Sequence, residues 1–400
     1  VDRGQPRLVH AVTTPSLAET VARDYRTVAL VLQGGGALGA YQAGVFEALD
    51  EAGLQPNRLA GISIGALNAA IIAGNAPERR VERLREFWEA ICRSPLWPDV
   101  PALPWFDAVA WPTAWLNGMS GLAAWRAMTE GQAGFFHPRQ PPPFLGGHAT
   151  PGSVSWYDTK PLRATLERLV DFDRLNDART MRVAVGAVNV RSGNFAYFDN
   201  RRERLRPEHF MASGALPPGF PAVEIDGEFY WDGGMVSNTP LYEVLSERPG
   251  CDTLVFQVDL WSARGTLPRD LADVAERSKE IQYSSRTRLV TEFMRRMQEQ
   301  RRLLHDVMAL VPAERRGDPA YRHAEARAAE ALTNVIHLIY QDRPHEGHFK
   351  DYEFSATSMR SHWQGGLDDM RHTLAHPQWL AAPDPGHPFV THDVHRGEAG

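Results

Sequence analysis

Short apolar segments rich in β-branched residues alternate with amphipathic segments along the first part of the chain. Thr27–Leu32 and Leu59–Ile62 are apolar almost throughout, as strands are when both faces of a parallel sheet are covered. Each is followed by a glycine-containing turn and then by a segment with helical spacing, residues 40–51 and 66–73. Two consecutive strand–turn–helix units predict an α/β layered fold.

Later apolar segments extend this pattern. Strands are predicted at residues 181–190, 195–199, 228–231, 253–259 and 334–340, and helices at 77–93, 207–214, 268–310 and 351–380. We expect a loose leader over residues 1–24, a core over 25–262 and a mostly helical C-terminal extension over 263–400. The Pro-rich tail from Pro377 is expected to be loose.

Residues 94–156 interrupt the core with a segment dense in Pro, Gly and Trp. Its tryptophans are Trp97, Trp105, Trp111, Trp115, Trp125 and Trp156. One interpretation is a lid over the core. The alternative is an irregular cluster in which the aromatic side chains pack only against one another, and the pattern does not choose between them.

Composition excludes several classes of protein. The 400 residues are 43% hydrophobic and 23% charged, which is ordinary for a soluble chain, and no apolar run approaches the ~20 residues of a membrane span. The net charge of -6 argues against a nucleic-acid partner. Cys92 and Cys251 form no disulfide framework, and Val1–His10 lacks a signal-peptide core. We expect a cytoplasmic protein, and peripheral contact with a membrane is compatible with these features.

The first candidate for chemistry is the glycine loop Gly34–Gly39, between a predicted strand and helix. Glycines let a backbone approach a ligand, and the helix N-terminus offers free N–H groups to a phosphate or an oxyanion. The loop also matches the dinucleotide fingerprint G-x-G-x-x-G. A dinucleotide site needs an acidic residue at the end of the next strand, where this chain has Ser63, so we disfavour it.

The second candidate is Gly61-Ile62-Ser63-Ile64-Gly65, a G-x-S-x-G turn between a strand and a helix. In this context the sharp turn exposes the serine hydroxyl, and the flanking glycines Gly61 and Gly65 avoid clashes around it. The structural alternative is a glycine-rich turn whose serine only caps the helix. The strand before and the helix after favour a nucleophile.

The third candidate is Asp232, in the turn Asp232-Gly233-Gly234 directly after an aromatic strand. A carboxylate at a strand end is well placed to face a pocket, although most Asp-Gly pairs are simple turns. A Ser–Asp–His triad also stays open at this point, because histidines such as His305, His337 and His345 follow the serine.

The order of these motifs resembles the patatin-like phospholipase family over about residues 27–260. The match comprises the Gly34–Gly39 loop, the Gly61–Gly65 turn, the segment Met211–Pro221 and the pair Asp232-Gly-Gly234 with Asn238-Thr-Pro240. One position departs from the pattern, since Leu38 stands where many members carry Arg or Lys, a cation suited to a phosphate head group. The region beyond residue 260 resembles the C-terminal extension of a bacterial subgroup.

The resemblance implies a three-layer α/β/α core with a mostly parallel central sheet and a Ser–Asp dyad without histidine. Ser63 corresponds to the nucleophile and Asp232 to the general base. The N–H groups of Gly34, Gly35, Gly36 and Ala37 correspond to the oxyanion hole, and Gly61, Gly65, Gly233 and Gly234 to the turns that hold the two side chains. No metal or organic cofactor is implied, and the chain has no EF-hand loop or acidic ligand cluster for Ca²⁺.

The resulting hypothesis is a carboxylic ester hydrolase, bacterial by resemblance, that acts on lipid acyl esters through an acyl-enzyme. The first alternative is an esterase of short-chain or polymeric hydroxyacyl esters. The second is a membrane- or partner-binding protein that retains the fold without turnover. Acyl-chain length, head group and oligomeric state stay open at this level.

Overall fold

The structure is a computed structural model that describes residues 16–93, 125–143, 150–246, 250–341 and 350–394. Its α-helices include α1 (Leu17–Asp24), α2 (Ala40–Glu51), α3 (Ile64–Ala73), α4 (Arg80–Ile91), α5 (Lys160–Leu169), α6 (Phe172–Leu175), α7 (Pro207–Ser213), α8 (Leu241–Leu245), α9 (Leu271–Ala309), α10 (Pro319–Glu325) and α11 (Ala356–Leu374). Its strands include β1 (Thr27–Leu32), β2 (Arg58–Gly61), β3 (His137–Pro138), β4 (Tyr157–Asp158), β5 (Arg182–Asn189), β6 (Phe195–Asp199), β7 (Val223–Ile225), β8 (Glu228–Asp232), β9 (Thr253–Asp259), β10 (Thr333–Ile339) and β11 (Phe389–Asp393).

A mixed sheet in the order β11-β10-β9-β1-β2-β5-β8-β7 organises the chain, with β6 also pairing with β5. The six strands from β11 to β5 pair in parallel, and β6, β7 and β8 join through antiparallel pairs. The predicted α/β class and mostly parallel sheet are confirmed. The carboxyl ends of the parallel strands lie at one edge, where ligands bind in open α/β sheets.

The central strand β1 is buried on both faces, which explains its continuous apolar run. Leu30 and Leu32 belong to the larger hydrophobic cluster, which the helices α2, α3, α4 and α11 cover. Ala29 and Val31 belong to a second cluster on the opposite face, covered by α8 and α9. Two cores on either side of one sheet confirm the predicted three-layer α/β/α architecture.

The C-terminal region is helical, as predicted, but it also completes the sheet. Strands β10 and β11 extend it beyond β9, and α11 packs closely on α2. A Cβ at Gly44 would lie 1.9 Å from the Trp363 carbonyl oxygen, and one at Gly366 would lie 1.9 Å from that of Tyr41, so glycines let the two backbones touch. Residues on both sides of position 262 therefore share one core.

Two expectations about loose segments are wrong in part. Leu17–Asp24, within the predicted leader, forms helix α1, whose Ser16 hydroxyl caps the N–H of Glu19. The Pro-rich tail contains a 3-10 turn at Pro377–Leu380 and strand β11, so its backbone is ordered by pairing with β10. Both errors arise because short segments stabilised by tertiary contacts carry little signal of their own.

The predicted insert lies largely outside the described residues, which include 125–143 and 150–156 of it. Of its tryptophans, Trp125 and Trp156 are described, and they are 57% and 48% exposed. The lid interpretation therefore stays a prediction. Among the helices that the structure describes, none has the length and apolar composition needed to cross a bilayer.

Candidate active site

The turn between β2 and α3 holds Ser63 in an unusual backbone conformation, with φ 55° and ψ -126°. A non-glycine residue at positive φ costs about 1–3 kcal/mol and persists only where its surroundings enforce it. Gly61 and Gly65 allow the turn to close, because a Cβ at Gly61 would lie 2.5 Å from the Gly65 carbonyl oxygen. Similarly, a Cβ at Gly65 would lie 2.4 Å from the carbonyl oxygen of Leu32. The predicted elbow is present.

A second serine fastens this turn to the neighbouring strand. The N–H of Ser63 donates to the Ser213 hydroxyl at 3.0 Å, and that hydroxyl donates to the carbonyl oxygen of Gly186 at 2.7 Å. Ser213 ends α7, is fully buried, and lies within the Met211–Pro221 segment of the sequence comparison. Ser213 therefore positions the backbone of Ser63. The sequence comparison included Ser213 in a matching segment but gave it no role.

Asp232 ends strand β8, where it faces Ala187 of β5, and it is 2% exposed. Its carboxylate accepts a hydrogen bond, at 2.7 Å, from the N–H of Gly234, and the nearby Ser63 side chain favours its ionised form. Burial raises the pKa of Asp232 to about 7, because the Ser63 side chain and the Gly234 N–H only partly offset the loss of solvation. The structure therefore places Ser63 next to a buried carboxyl whose pKa is raised.

The glycine-rich turn Asp232-Gly233-Gly234 fits this position closely. A Cβ at Gly233 would lie 2.5 Å from the carbonyl oxygen of Gly186, and one at Gly234 would lie 3.1 Å from Oδ1 of Asp232. Gly233 thus lets the chain after β8 pass against β5, and Gly234 brings its N–H to the carboxylate.

The glycine loop follows β1 and lies beside this pair, since a Cβ at Gly34 would lie 2.9 Å from Cβ of Ser63. Ala37 donates its N–H to the Asp351 carbonyl oxygen at 3.0 Å, and Gly34 donates to the Asn238 carbonyl oxygen at 3.4 Å. The N–H groups of Gly35 and Gly36 have no acceptor among the residues that the structure describes. Of the four predicted donors, Gly34 and Ala37 are therefore engaged within the fold, and the assignment of the oxyanion hole to Gly35 and Gly36 stays a prediction.

Side chains from distant parts of the chain hold the glycine loop in place. The Gly34 carbonyl accepts from Asn238 Nδ2 at 3.0 Å and from Trp261 Nε1 at 2.9 Å. The buried Gln33 amide oxygen accepts the N–H groups of Leu260 and Trp261 at 2.6 and 3.0 Å. The loops after β1 and β9 are therefore fixed to each other before any ligand binds.

A cavity opens above these groups, and its wall is mostly apolar and aromatic. Its polar members include Ser63, Asp232, Asn238 and Asp351. Its apolar side chains are Ile64, Leu67, Ala127, Met128, Phe135, Phe136, Tyr157, Leu216, Pro217, Pro218, Phe220, Trp261, Tyr283, Tyr352 and Phe354. The rings of Phe136 and Phe220 are tilted by 58° with centroids 5.2 Å apart, and each also contacts Phe135.

Three observations in and around the cavity bear on the predictions made from the sequence. Leu38 is fully buried and is not part of the cavity wall, so its departure from the family pattern affects core packing rather than the cavity surface. No histidine belongs to the described wall, whereas His345 and His348 lie outside the described residues. Within the described ranges, no group of His, Cys, Asp and Glu side chains is arranged to hold a metal ion.

A strained serine next to a buried carboxylate and to free backbone N–H groups is the arrangement of a serine hydrolase. Residues 30–245 match the model of the family described as "Patatin-like phospholipase", and because this is more than half of the chain, the protein belongs to that family. A second family model, described as "Patatin phospholipase", matches residues 281–386.

Individual relatives resemble the chain over limited lengths or at low identity. A segment of 51 residues, 13% of this chain, is 53% identical to "Lysophospholipase nte1" of Aspergillus terreus and spans 3% of that relative. Human GIVD cytosolic phospholipase A2 is 13% identical, with a TM-score of 0.41, over 91% of this chain and 62% of its own. VipD from Legionella pneumophila is 14% identical, with a TM-score of 0.33, over 86% of this chain and 67% of its own.

Proposed function

We propose that this protein is a serine acyl hydrolase of lipid carboxylic esters, in which Ser63 is the nucleophile and Asp232 is the general base. The observation that carries the proposal is the strained Ser63, whose side chain lies beside the buried Asp232 carboxylate in the wall of an apolar cavity. A base is most effective when its pKa lies near the working pH, and burial brings the pKa of Asp232 to about 7.

In the first half-reaction, Oγ of Ser63 attacks the ester carbonyl while Asp232 accepts the hydroxyl proton. The carbonyl π electrons move to oxygen, and the N–H groups of Gly35 and Gly36 donate to that oxyanion. When the tetrahedral intermediate collapses, the C–O bond to the alcohol breaks, and Asp232 returns its proton to the leaving oxygen. The product is an acyl ester of Ser63.

In the second half-reaction, water attacks the acyl carbon and Asp232 takes one proton from that water. The second collapse breaks the bond to Oγ of Ser63, which regains its proton from Asp232, and the free acid leaves. Each donor to an oxyanion contributes about 3 kcal/mol where it has been measured, so the glycine loop has an effect comparable with that of the base.

Gly36→Ala tests the glycine loop. Gly36 has φ +57°, and an added Cβ would lie 2.3 Å from the Asp351 carbonyl oxygen, so the loop must move. We expect kcat/KM for ester hydrolysis to fall by about 10²-fold, the scale of one lost oxyanion donor. The matched control is Gly193→Ala, at φ +70° with nothing within 4 Å of the new Cβ. This control should lower the free energy of unfolding, measured in urea, by about 1 kcal/mol without changing turnover. Full activity of Gly36→Ala would contradict this role of the loop.

The lipid nature of the substrate is tested by a series of p-nitrophenyl esters from acetate to palmitate, measured beside phosphatidylcholine vesicles. Since each buried CH₂ contributes about 0.8 kcal/mol, kcat/KM should rise by at least about tenfold from acetate to octanoate, and vesicles should release fatty acid. Phe136→Leu, in the cavity wall, should weaken the preference for long chains. Phe198→Leu, buried but outside the wall, is the matched control.

Preference for acetate with no release from vesicles would support the short-chain esterase and overturn the lipid assignment. If turnover in that case still required Ser63, the serine chemistry would stand. Absence of turnover on every ester, with folded protein, would overturn both assignments and favour a non-catalytic binding protein.

A further inference from the structure

The segment 350–354, called here the strap, brings the C-terminal region into contact with the glycine loop. The carbonyl oxygen of Asp351 accepts the N–H of Ala37 at 3.0 Å. Gly36 packs against the same oxygen so closely that a Cβ there would lie 2.3 Å from it. Three residues of the strap also line the catalytic cavity, namely Asp351, Tyr352 and Phe354. The strap is therefore part of the site, although it lies far from the loop in the sequence.

Reciprocal ion pairs, called here the clasp, tie the strap to helix α9. Lys279 of the helix places its Nζ 2.9 Å from both carboxylate oxygens of Asp351. In the other direction, Nζ of Lys350 on the strap lies 3.0 Å from Glu276 and 3.1 Å from Glu280 of the helix. The Lys350 side chain is only 3% exposed, and a buried charge requires such partners. The strap is thus fixed to α9 by charges supplied from both sides.

The same part of α9 also holds the loop after β9. Arg277 pairs with Glu280 at 2.8 Å and donates to the carbonyl oxygen of Ala263 at 2.6 Å. Ala263 lies two positions after Trp261, whose indole N–H donates to the carbonyl oxygen of Gly34. Both segments that support the glycine loop are therefore anchored on one short stretch of the helix.

Lys279 makes its contacts from behind the cavity wall. Asp351 belongs to the described wall and Lys279 does not. The Lys279 ammonium also lies 5.0 Å from the centroid of the Tyr352 ring, a cation–π contact with a second residue of the strap. Burial raises the pKa of the Asp351 carboxyl, and the Lys279 charge opposes this effect, so the lysine favours the ionised form that completes the pair. An effect of Lys279 on ester turnover would thus be transmitted through the strap.

Precise placement of the glycine loop matters because oxyanion donors act only when they are fixed before the reaction. A displacement of about 1 Å can lower a rate by about 100-fold. The hydrogen bond from Ala37 to the strap fixes the peptide that directly follows Gly36. Release of the strap would therefore free the backbone beside the proposed donors.

We propose that the clasp positions the glycine loop for oxyanion stabilisation, and that Lys279 is a positioning residue of the hydrolase. The C-terminal region then takes part in catalysis without supplying a reacting group. The inference rests on the proposed function, because it assumes that the N–H groups of Gly35 and Gly36 bind the oxyanion.

Lys279→Met tests the clasp by removing the charge while keeping an unbranched side chain. We expect kcat for ester hydrolysis to fall by about 10- to 100-fold, because the loop is no longer fixed. KM should stay within about threefold of wild type, since the oxyanion forms only in the transition state. Lys279→Arg keeps the ion pair and should recover most of the rate.

Two further variants control this experiment. Asp351→Asn breaks the same pair but leaves Lys279, whose side chain is 30% exposed, in contact with solvent. It should stay folded in urea titrations and lose kcat by a similar factor. Arg295→Met removes a charge from the same helix, where Arg295 pairs with Glu292 and Glu299 outside the clasp and the described cavity wall. It should leave kcat within about twofold of wild type, because such exposed pairs contribute little.

Hydrogen–deuterium exchange of the Ala37 amide, read by mass spectrometry of overlapping peptides, tests the clasp without any turnover. In the folded Lys279→Met protein this amide should exchange at least about tenfold faster than in wild type. Wild-type kcat with unchanged exchange, or a rise in KM alone, would overturn the proposal. If the wild type hydrolysed no ester, the proposed function would fail, and the catalytic role of Lys279 would fail with it. Faster exchange in Lys279→Met would in that case still support the clasp as the anchor of the loop.

Discussion

Ser63→Ala should lower kcat for ester hydrolysis by about 10⁴-fold or more, with the protein still folded. Without Oγ no acyl-enzyme can form, and the residual rate is that of water attack within the cavity. The turn itself should persist, because its hydrogen bond to Ser213 uses the backbone N–H of residue 63 rather than the side chain. Initial rates on an ester series, beside urea unfolding, measure both effects.

Ser63→Gly separates catalysis from backbone strain at the same position. Glycine adopts φ 55° without the cost that a serine side chain incurs, so this variant should be as inactive as Ser63→Ala. Its free energy of unfolding, measured in urea, should also exceed that of Ser63→Ala by about 1–2 kcal/mol. Substantial turnover by either variant would contradict the role of Ser63.

Asp232→Asn should lower kcat/KM by about 10³–10⁴-fold, near the upper range for the loss of a general base. The amide keeps an oxygen that can accept the N–H of Gly234, so the turn after β8 should be preserved. It cannot accept the serine proton as a carboxylate does. Steady-state kinetics at pH 8, where the wild-type carboxyl is ionised, gives the largest contrast between the two proteins.

The pH dependence of the wild-type rate reports the same carboxyl. Because burial holds the pKa of Asp232 at about 7, kcat/KM should rise with pH through neutrality and level off above it. Below the pKa, log(kcat/KM) plotted against pH should rise with a slope of one, since a single proton is lost. A rate that is flat from pH 5 to 8 would contradict the assignment of Asp232 as the base.

The raised pKa also predicts a stability effect of opposite sign to the catalytic one. Between pH 3.8 and about 7 the folded protein holds a proton on Asp232 that the unfolded chain has released. The free energy of unfolding therefore falls as pH rises through this window, and the deficit persists above it. Relative to wild type, Asp232→Asn should gain roughly 2–4 kcal/mol above pH 7 and little below pH 4. Urea unfolding of both proteins at the two pH values measures the difference.

Histidine substitutions distinguish the dyad from a triad. His345→Ala and His348→Ala, in the segment outside the described residues before Asp351, should leave kcat within about threefold of wild type. A loss of about 10³-fold or more in either variant, with Asp232→Asn still active, would assign the base role to that histidine.

Local patterns predicted the parts of the site that depend on short segments. The glycines around Ser63 and in the Asp232 turn could be recognised from the sequence, because sharp turns and close backbone contacts admit few other residues. The strand β1 was predictable because burial on both faces requires an unbroken apolar run. The family resemblance that these motifs carry then implied the pairing of Ser63 with Asp232.

Long-range contacts explain what the sequence did not show. The N–H of Ala37 is occupied by the carbonyl oxygen of Asp351, more than 300 residues away, and no local pattern reports such a bond. Ser213 accepts a hydrogen bond from the N–H of Ser63, and Trp261 donates one to the carbonyl oxygen of Gly34. Both bonds also join residues that lie far apart in the sequence. The local sequence predicts a loose tail at strand β11, because its pairing with β10 depends on the folded sheet.

The most direct test of the central claim is labelling of the folded wild-type protein with an alkyl fluorophosphonate, followed by peptide mapping by mass spectrometry. We expect one equivalent of label, located on Ser63, with loss of esterase activity in proportion to labelling. Asp232→Asn should be labelled much more slowly at pH 8, because its serine lacks the base. Full esterase activity with Ser63 unlabelled, or label on a different serine, would contradict the proposed nucleophile.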